Sequence, residues 1–252
     1  MNIWALRITA AAILVATWES TVKLAGAAPW LYPSPSGVLA NLASGIHSGD
    51  YLAALAASFL RIAAGFAIAA VAGAALGLLL SGSRTARDLV GPVAIGVQAL
   101  PSICWLPLAV LWFGLSEAAI LFVVVMGSLF SVALGVRDGI TQIPPILGRV
   151  GQTFGLSRRE QIFRISLPAA LPAILAGLKQ GWGFGWRSLM AGELIHVTAG
   201  LGKSLLIGRE LNDVNQVCAV MVLIVGFGVV VDRLAFGLLE RRILSRRGIG
   251  PA

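Results

Sequence analysis

The sequence predicts an all-α integral membrane protein with six transmembrane helices. Hydrophobic residues make up 58% of the 252 positions and charged residues only 12%, which leaves too little polar surface to cover a soluble globule. The mean hydropathy is +0.89. Six apolar stretches also approach the roughly 20 residues that a helix needs to cross a bilayer. We therefore expect a single membrane domain over residues 1–252.

The six predicted spans cover residues 3–24, 55–80, 89–113, 118–136, 167–189 and 214–239. The first resembles a signal peptide, but the polar residues Glu19 and Lys23 separate its apolar run from the small-residue site at Ala25, so we expect it to be retained. The third contains Pro101 and Pro107 and is expected to kink where neighbouring protein can satisfy the freed backbone groups.

Close helix approach is expected at the second span, where Gly73 and Gly77 form a GxxxG pattern.

Arginines concentrate in three places that belong on one side of the membrane: the second-to-third connection, the fourth-to-fifth connection and the C-terminal tail. By the positive-inside rule these segments, and both termini, are expected to be cytoplasmic. The arginines lie at the ends of apolar runs rather than along one helix face. The net charge of +8 therefore indicates membrane orientation and not nucleic-acid binding.

The sequence contains no pattern for covalent chemistry. The Gly202-Lys203-Ser204 tripeptide resembles the end of a phosphate-binding loop, but the first glycine of that motif would fall at Val197. Cys104 and Cys218 lie in separate apolar runs without a neighbouring histidine. We expect no catalytic residue, no metal site and no bound cofactor in this chain.

A polar segment, GRVGQTFGLSRREQIFRISLPAALP, occupies residues 148–172 between the fourth and fifth spans. Gly155 can adopt a positive φ, which allows a sharp turn between two short helices. Pro168 and Pro172 lie where the fifth span begins and restrict the direction in which the chain enters it. A loop this long and polar predicts a soluble partner in the cytoplasm.

The spacing of this segment resembles the cytoplasmic loop of permease subunits of ATP-binding-cassette importers. Gly155 is followed by nine residues, Ile165, one further residue and then Leu167-Pro168. The stretches SLPAALPAILAGLKQGWGFGW and YPSPSGVLANL, together with Glu193, resemble the nitrate, sulfonate and taurine branch of that family. The resemblance covers nearly the whole chain and implies the type I importer permease fold, with a coupling helix in the loop at about 140–166.

The resemblance also implies partners. These are a second permease copy, two cytoplasmic ATPase subunits that bind ATP and Mg²⁺, and an extracytoplasmic solute-binding protein, at the bacterial inner membrane. This chain would then be a transport subunit and not an enzyme. The outer loops at 32–39 and 199–213 are candidates to meet the binding protein.

Eight residues of the loop are candidates for coupling to the ATPase: Arg149, Gly155, Arg158, Arg159, Glu160, Ile165, Leu167 and Pro168. The three charged residues after the turn could pair with charges of the ATPase or contact lipid headgroups instead. The family usually has Glu-Ala-Ala where this chain has Arg149, Val150 and Gly151, so a basic residue replaces the acid.

Charges within the fifth span mark a candidate translocation path, because charges are costly in a membrane and are usually functional. Lys179 and Arg187 lie within roughly 80° of each other around the helix, which suits a small anion. Trp182 and Trp186 would line the path or anchor the span at the interface, and Glu193 lies near the outer end. Alternatively, Lys179 reaches the inner surface and Arg187 pairs with Glu193, or the pairing runs to another span.

The rival function is an ATP-independent secondary transporter or channel. That class predicts inverted repeats and ion-coupling acids at the membrane midplane. We find no internal repeat, and Glu117, Glu193 and Asp232 all fall near the ends of predicted spans.

Overall fold

The computed structural model describes residues 3–24, 26, 31–195 and 199–245. Within these ranges the chain forms twelve α-helices joined by turns and by short 3₁₀ and π segments. In chain order they are α1 (Ile3–Leu24), α2 (Pro35–His47), α3 (Asp50–Gly82), α4 (Arg84–Ala99), α5 (Leu106–Phe113), α6 (Glu117–Thr141), α7 (Pro145–Thr153), α8 (Arg158–Gln161), α9 (Leu167–Glu193), α10 (Leu201–Glu210), α11 (Val214–Val230) and α12 (Gly237–Ser245).

Five helices in the described residues are long and apolar enough to cross a membrane: Ala5–Leu24, Asp50–Gly82, Glu117–Thr141, Arg159–Glu193 and Val214–Ile243. The last two run through π segments, at Ile162–Ser166 and Val231–Phe236. The sixth candidate is a bent pair, Arg84–Ala99 with Ser102–Phe113. The predicted all-helical membrane fold is confirmed, with five helices that could span the membrane and a sixth span if the bent pair crosses as one unit.

The break in the sixth candidate lies at Leu100 and Pro101, where the two halves meet at 103°. Leu100 is extended, with φ −69° and ψ 125°, because the residue before a proline is sterically disfavoured in the helical region. The expected kink is therefore found at Pro101. Pro107 lies in the first turn of α5, where a missing N–H breaks no helical hydrogen bond, so it causes no bend.

The chain divides into two compact units, Met1–Phe59 with Val197–Phe227 and Leu60–His196 with Gly228–Ala252. The first unit contains α2, whose N-cap Ser34 accepts a hydrogen bond from Gly37 N at 3.1 Å. The Ser34 N–H donates to Asn215 Oδ1 at 3.1 Å. At the start of α10, the Leu201 N–H donates to the wholly buried hydroxyl of Ser58 at 2.9 Å.

The second unit is centred on α6, which packs along α9 and along the later part of α3. Glycines make this packing close: a Cβ on Gly135 of α6 would lie 2.5 Å from Gly177 Cα of α9. Gly73 and Gly77 face α6 in the same way, since their Cβ atoms would lie 2.6 and 2.5 Å from backbone oxygens of Leu129 and Ala133. The close approach expected from the GxxxG pattern is thus confirmed, within the chain itself.

Candidate functional site

The turn between α7 and α8 is built around Gly155, which has a φ of +68° as predicted. The Leu156 N–H donates to Gly151 O at 3.0 Å, and the Gly155 N–H donates to Gln152 O at 2.9 Å. These two bonds form a Schellman motif, which ends a helix with a residue in the left-handed region. Other side chains are strained in that region, so the turn favours glycine.

A second local motif starts the next helix. The Ser157 hydroxyl accepts from the Glu160 N–H at 3.3 Å, and Glu160 Oε2 accepts from the Ser157 N–H at 3.0 Å. This reciprocal pair is a capping box. Glu160 also pairs with Arg164 at 3.8 Å, so its carboxylate already has partners within the loop. We call residues 145–166 the coupling loop.

Ile165 holds the two arms of the coupling loop together. A Cβ on the buried Gly151 would lie 2.8 Å from Ile165 Cδ1 and 3.0 Å from Gln161 Cγ, so glycine at this position permits close packing. The Gln161 amide donates to Leu156 O at 2.9 Å. Of the three positions that differ from the usual Glu-Ala-Ala, Gly151 is explained by this close packing. No described contact explains the basic residue at Arg149, which is exposed.

The outer surface of the coupling loop is apolar and basic. Phe154 is 78% exposed, and Val150 and Ile146 are exposed one and two turns before it on α7. Arg149 on α7 and Arg159 on α8 are also exposed, whereas the side chain of Arg158 lies outside the described residues. An exposed phenylalanine with aliphatic and basic neighbours is suited to contact another protein, because exposed apolar patches mark interaction sites.

Leu167 and Pro168 lie inside a continuous helix and not at its start. The helix that begins after Ser157 passes through the π segment into α9, where the Leu167 N–H donates to Ile162 O. Pro168 and Pro172 supply no N–H, and local π adjustments are one way in which membrane helices satisfy the backbone groups that a proline frees. The second short helix of the coupling loop is therefore the first part of the fifth span.

A partly buried ion cluster joins three helices of the second unit: Glu193 is buried, whereas the Glu117 side chain is 52% exposed. The Arg61 guanidinium of α3 makes two bonds of 2.7 Å to the Glu117 carboxylate at the start of α6. It also donates to Glu193 Oε1 at the end of α9, at 2.9 Å. Glu193 is completely buried and the Arg61 side chain is 11% exposed. We call these three residues the Arg61 cluster.

The Arg61 cluster corrects one alternative from the sequence. Glu193 does not pair with Arg187 but with Arg61, which was missed as a functional candidate. The signal was present, because Arg61 is a single basic residue well inside the apolar helix α3, where a charge requires a partner. The partner could not be identified, since both carboxylates lie far away in sequence.

The other candidate residues of the fifth span separate into two faces. Lys179 pairs with Asp232 at 3.0 Å, with side chains 40% and 50% exposed. Trp182 packs edge-on against Phe66, with ring centroids 5.3 Å apart, and Trp186 is only 7% exposed. Both tryptophans thus contribute to packing within the second unit. Whether they line a path stays a prediction.

Arg187 lies on a different face and is exposed. Its guanidinium carbon lies 5.3 Å from the centroid of the Phe184 ring, a cation–π distance. Phe184 in turn lines a cavity of about 310 Å³ at the break between α4 and α5. The cavity is also lined by Gln98, Leu100, Pro101, Ser102 and Met126. We call it the break cavity.

The helical membrane domain and the structured polar loop between its spans are the features expected of the permeases of ATP-binding-cassette importers. The chain belongs to the family of binding-protein-dependent transport system inner membrane components, whose pattern matches residues 65–245. Its relatives place it in the sulfonate, taurine and nitrate branch, as the sequence resemblance indicated.

Two relatives span nearly all of the chain. The taurine transport system permease protein of Escherichia coli (strain K12) is 30% identical over 96% of this chain and 90% of its own length. A putative aliphatic sulfonates transport permease protein of Bacillus subtilis (strain 168) is 28% identical over 97% of this chain and 88% of its own. The nitrate import permease protein of Synechocystis is 28% identical over 70% of this chain and 64% of its own.

Solved structures support the fold. An amino acid ABC transporter crystallised with histidines matches with a TM-score of 0.65 and 16% identity, over 80% of this chain and 97% of that one. An inward-facing methionine ABC transporter matches with a TM-score of 0.63 and 17% identity, over 74% and 92%.

Proposed function

We propose that this chain is the membrane subunit of an ATP-driven importer for a small anion of the sulfonate, taurine or nitrate type. The family assignment supports import, and the solutes named for three relatives, aliphatic sulfonates, taurine and nitrate, each carry an anionic group. Arg187, an exposed cation within the fifth span, supports an anionic solute because it offers an opposite charge inside the membrane. The single observation that carries the proposal is the coupling loop.

The coupling loop docks on a cytoplasmic ATPase. Its exposed Phe154, Val150 and Ile146 supply the apolar contact, and Arg149 and Arg159 supply charges at the rim. Rim charges of this kind contribute only about 0–1 kcal/mol per pair, so the apolar face provides most of the affinity. Because the second arm of the loop continues into α9, movement of the ATPase is transmitted directly to the fifth span.

The complete machine contains two copies of this permease, two ATPase subunits and an extracytoplasmic binding protein. Both termini and the coupling loop face the cytoplasm, in agreement with the arginine distribution. The binding protein meets the loops at 32–39 and 199–213. The ATPase binds ATP and Mg²⁺, and its cycle shifts the permease between two states that expose the path to opposite sides.

Reconstitution tests the function directly. The permease in proteoliposomes with its cognate ATPase and binding protein should accumulate taurine, ethanesulfonate or nitrate when ATP is present on the ATPase side. Solute-stimulated ATP hydrolysis should accompany the uptake. Equal uptake without ATP or without the ATPase would contradict the proposal and favour a secondary transporter or channel.

Coupling is tested by Gly155→Val. Valine at a φ of +68° is expected to cost about 1–3 kcal/mol and to change the direction of the turn, so solute-stimulated ATP hydrolysis should be lost while the protein stays in the membrane. Gly49→Val is the matched control. Gly49 has a φ of +84° and, like Gly155, nothing within 4 Å of an added Cβ, but it lies outside the coupling loop. It should be similarly destabilised and remain coupled. Normal stimulation in Gly155→Val would contradict the coupling role.

A further inference from the structure

We propose that the break cavity is a solute-binding site of the permease, selective for short organic anions such as alkanesulfonates. This inference rests on the proposed import function and adds the position and chemistry of the site. It assigns the binding role to the α9 face that bears Phe184 and Arg187, together with Gln98 and Ser102 from the broken span.

The broken backbone is the first argument. Non-helical backbone at membrane depth is tolerated only where it is buried in protein or lines a water-filled cavity, and discontinuous helices mark binding sites in transporters. Here the helix is interrupted at Leu100 and Pro101, the two halves meet at 103°, and both residues line the break cavity. The helix break and the cavity thus coincide.

The size and lining of the cavity indicate a small solute with an apolar part. Its volume of about 310 Å³ lies at the lower end of the roughly 300–1,000 Å³ found for small-molecule sites. Phe184, Met126, Leu100 and Pro101 provide apolar surface for a short alkyl chain. An inorganic anion alone has no group to match that surface.

The polar residues of the site suit an anionic head. The Ser102 hydroxyl and the Gln98 amide line the cavity. Gln98 Nε2 donates one hydrogen bond to Ser131 Oγ at 3.0 Å, which fixes the orientation of the amide, and the same nitrogen carries a second N–H. Arg187 does not line the cavity itself, but its guanidinium carbon lies 5.3 Å from the ring centroid of Phe184, which does, so its positive charge acts at the edge of the site.

The other cation of the fifth span lies in a site less suited to an anion. Lys179 pairs with Asp232 at 3.0 Å. The cavity beside it is smaller, about 120 Å³, and is also lined by Glu240, whose negative charge would repel an anion. The two cations that the sequence placed on one path therefore belong to different environments, and only Arg187 lies beside a cavity without an acidic lining residue.

Thiol labelling of the assembled, detergent-solubilised transporter tests the site. Ser102→Cys, in a Cys104→Ser, Cys218→Ser background, is labelled with N-ethylmaleimide with and without ethanesulfonate. At tenfold excess over its dissociation constant, ethanesulfonate should slow labelling about tenfold, because only the unoccupied fraction reacts. Ala99→Cys, which also lines the cavity but removes no polar group from it, gives a second position that should be protected in the same way.

Cys104 is the matched control. It lies on the same short 3₁₀ turn as Ser102 and is exposed, but it does not line the break cavity. In a chain that retains Cys104 and carries Cys218→Ser, its labelling rate should not change with ethanesulfonate. Adding Arg187→Gln to the Ser102→Cys chain should raise the concentration of ethanesulfonate needed for half-protection about tenfold, the loss expected when a nearby positive charge is removed.

The outcomes separate this inference from the proposed function. Unprotected Ser102→Cys and Ala99→Cys in a transporter that imports ethanesulfonate with ATP would overturn the site and leave the import function intact. Protection by nitrate but not by ethanesulfonate would overturn the solute class, and equal protection of Cys104 would indicate a general conformational change instead of occupancy. Failure of the wild-type transporter to import any anion would refute the proposed function itself.

Discussion

The coupling loop and the Arg61 cluster are both held by specific polar contacts, but those contacts span very different distances along the chain. In the coupling loop, the bonds that shape the turn join residues three to five positions apart, such as Ser157 with Glu160 and Gln161 with Leu156. In the Arg61 cluster, the partners are 56 and 132 positions apart. The first region is specified by local sequence and the second by the packing of three helices.

This difference has consequences for stability. The contacts of the coupling loop lie at the surface, where water can replace a lost hydrogen bond. Glu193 is completely buried, and a buried charge that loses its partner has no such replacement. We therefore expect substitutions in the Arg61 cluster to lower the stability of the protein more than substitutions that break the loop motifs.

The largest effect is expected for Arg61→Met. Removing one partner of a buried ion pair typically costs about 3–5 kcal/mol, because the remaining charge is left uncompensated. The free energy of unfolding, measured by SDS titration in mixed micelles, should fall by that amount.

The control for Arg61→Met removes the charges together. Arg61→Met combined with Glu193→Leu and Glu117→Gln leaves no uncompensated carboxylate in the cluster and should recover most of the lost stability. A single Arg61→Met variant as stable as the wild type would show that the long-range cluster contributes no more than the local motifs, and the contrast between the two regions would fail.

The same contrast explains what the sequence could predict. The Gly155 turn was predictable because a single residue type satisfies a local backbone requirement. The break at Pro101 was predictable because a proline keeps the residue before it out of the helical region. The partner of Glu193 could not be predicted from the sequence, since it depends on which face of α3 meets α9. The break cavity was likewise out of reach, because Gln98 and Phe184 meet only after two distant helices pack together.

An intermediate effect is expected for Ser157→Ala, which removes the N-cap of the second arm of the coupling loop. Loss of an N-cap serine costs about 1 kcal/mol, within a range of roughly 0.5–2. Hydrogen exchange at the Glu160 amide should also become faster, because that N–H loses its acceptor. Ser83→Ala is the control: Ser83 caps α4 through the Ala86 N–H at 3.2 Å, so it should lose similar stability without faster exchange at Glu160. Unchanged exchange at Glu160 in Ser157→Ala would contradict the capping box.

The smallest effect is expected for the pair between Lys179 and Asp232, which combines features of both regions. It joins residues far apart in sequence, as the Arg61 cluster does, but both side chains are about half exposed. Polar contacts between membrane helices give coupling energies of about 0.6 kcal/mol on average and at most about 1.7, because the separated groups find other partners. A double-mutant cycle with Lys179→Met and Asp232→Asn should yield a value in that range.

That measurement separates burial from sequence distance as the cause of the stability difference. If distance along the chain decided the energy, the Lys179 pair would couple as strongly as Arg61 does with Glu193. We expect the opposite, because a half-exposed ammonium and carboxylate keep other polar groups within reach when their partner is removed. A coupling energy of about 3 kcal/mol or more would contradict this and would place Lys179 and Asp232 in a buried environment comparable to that of Glu193.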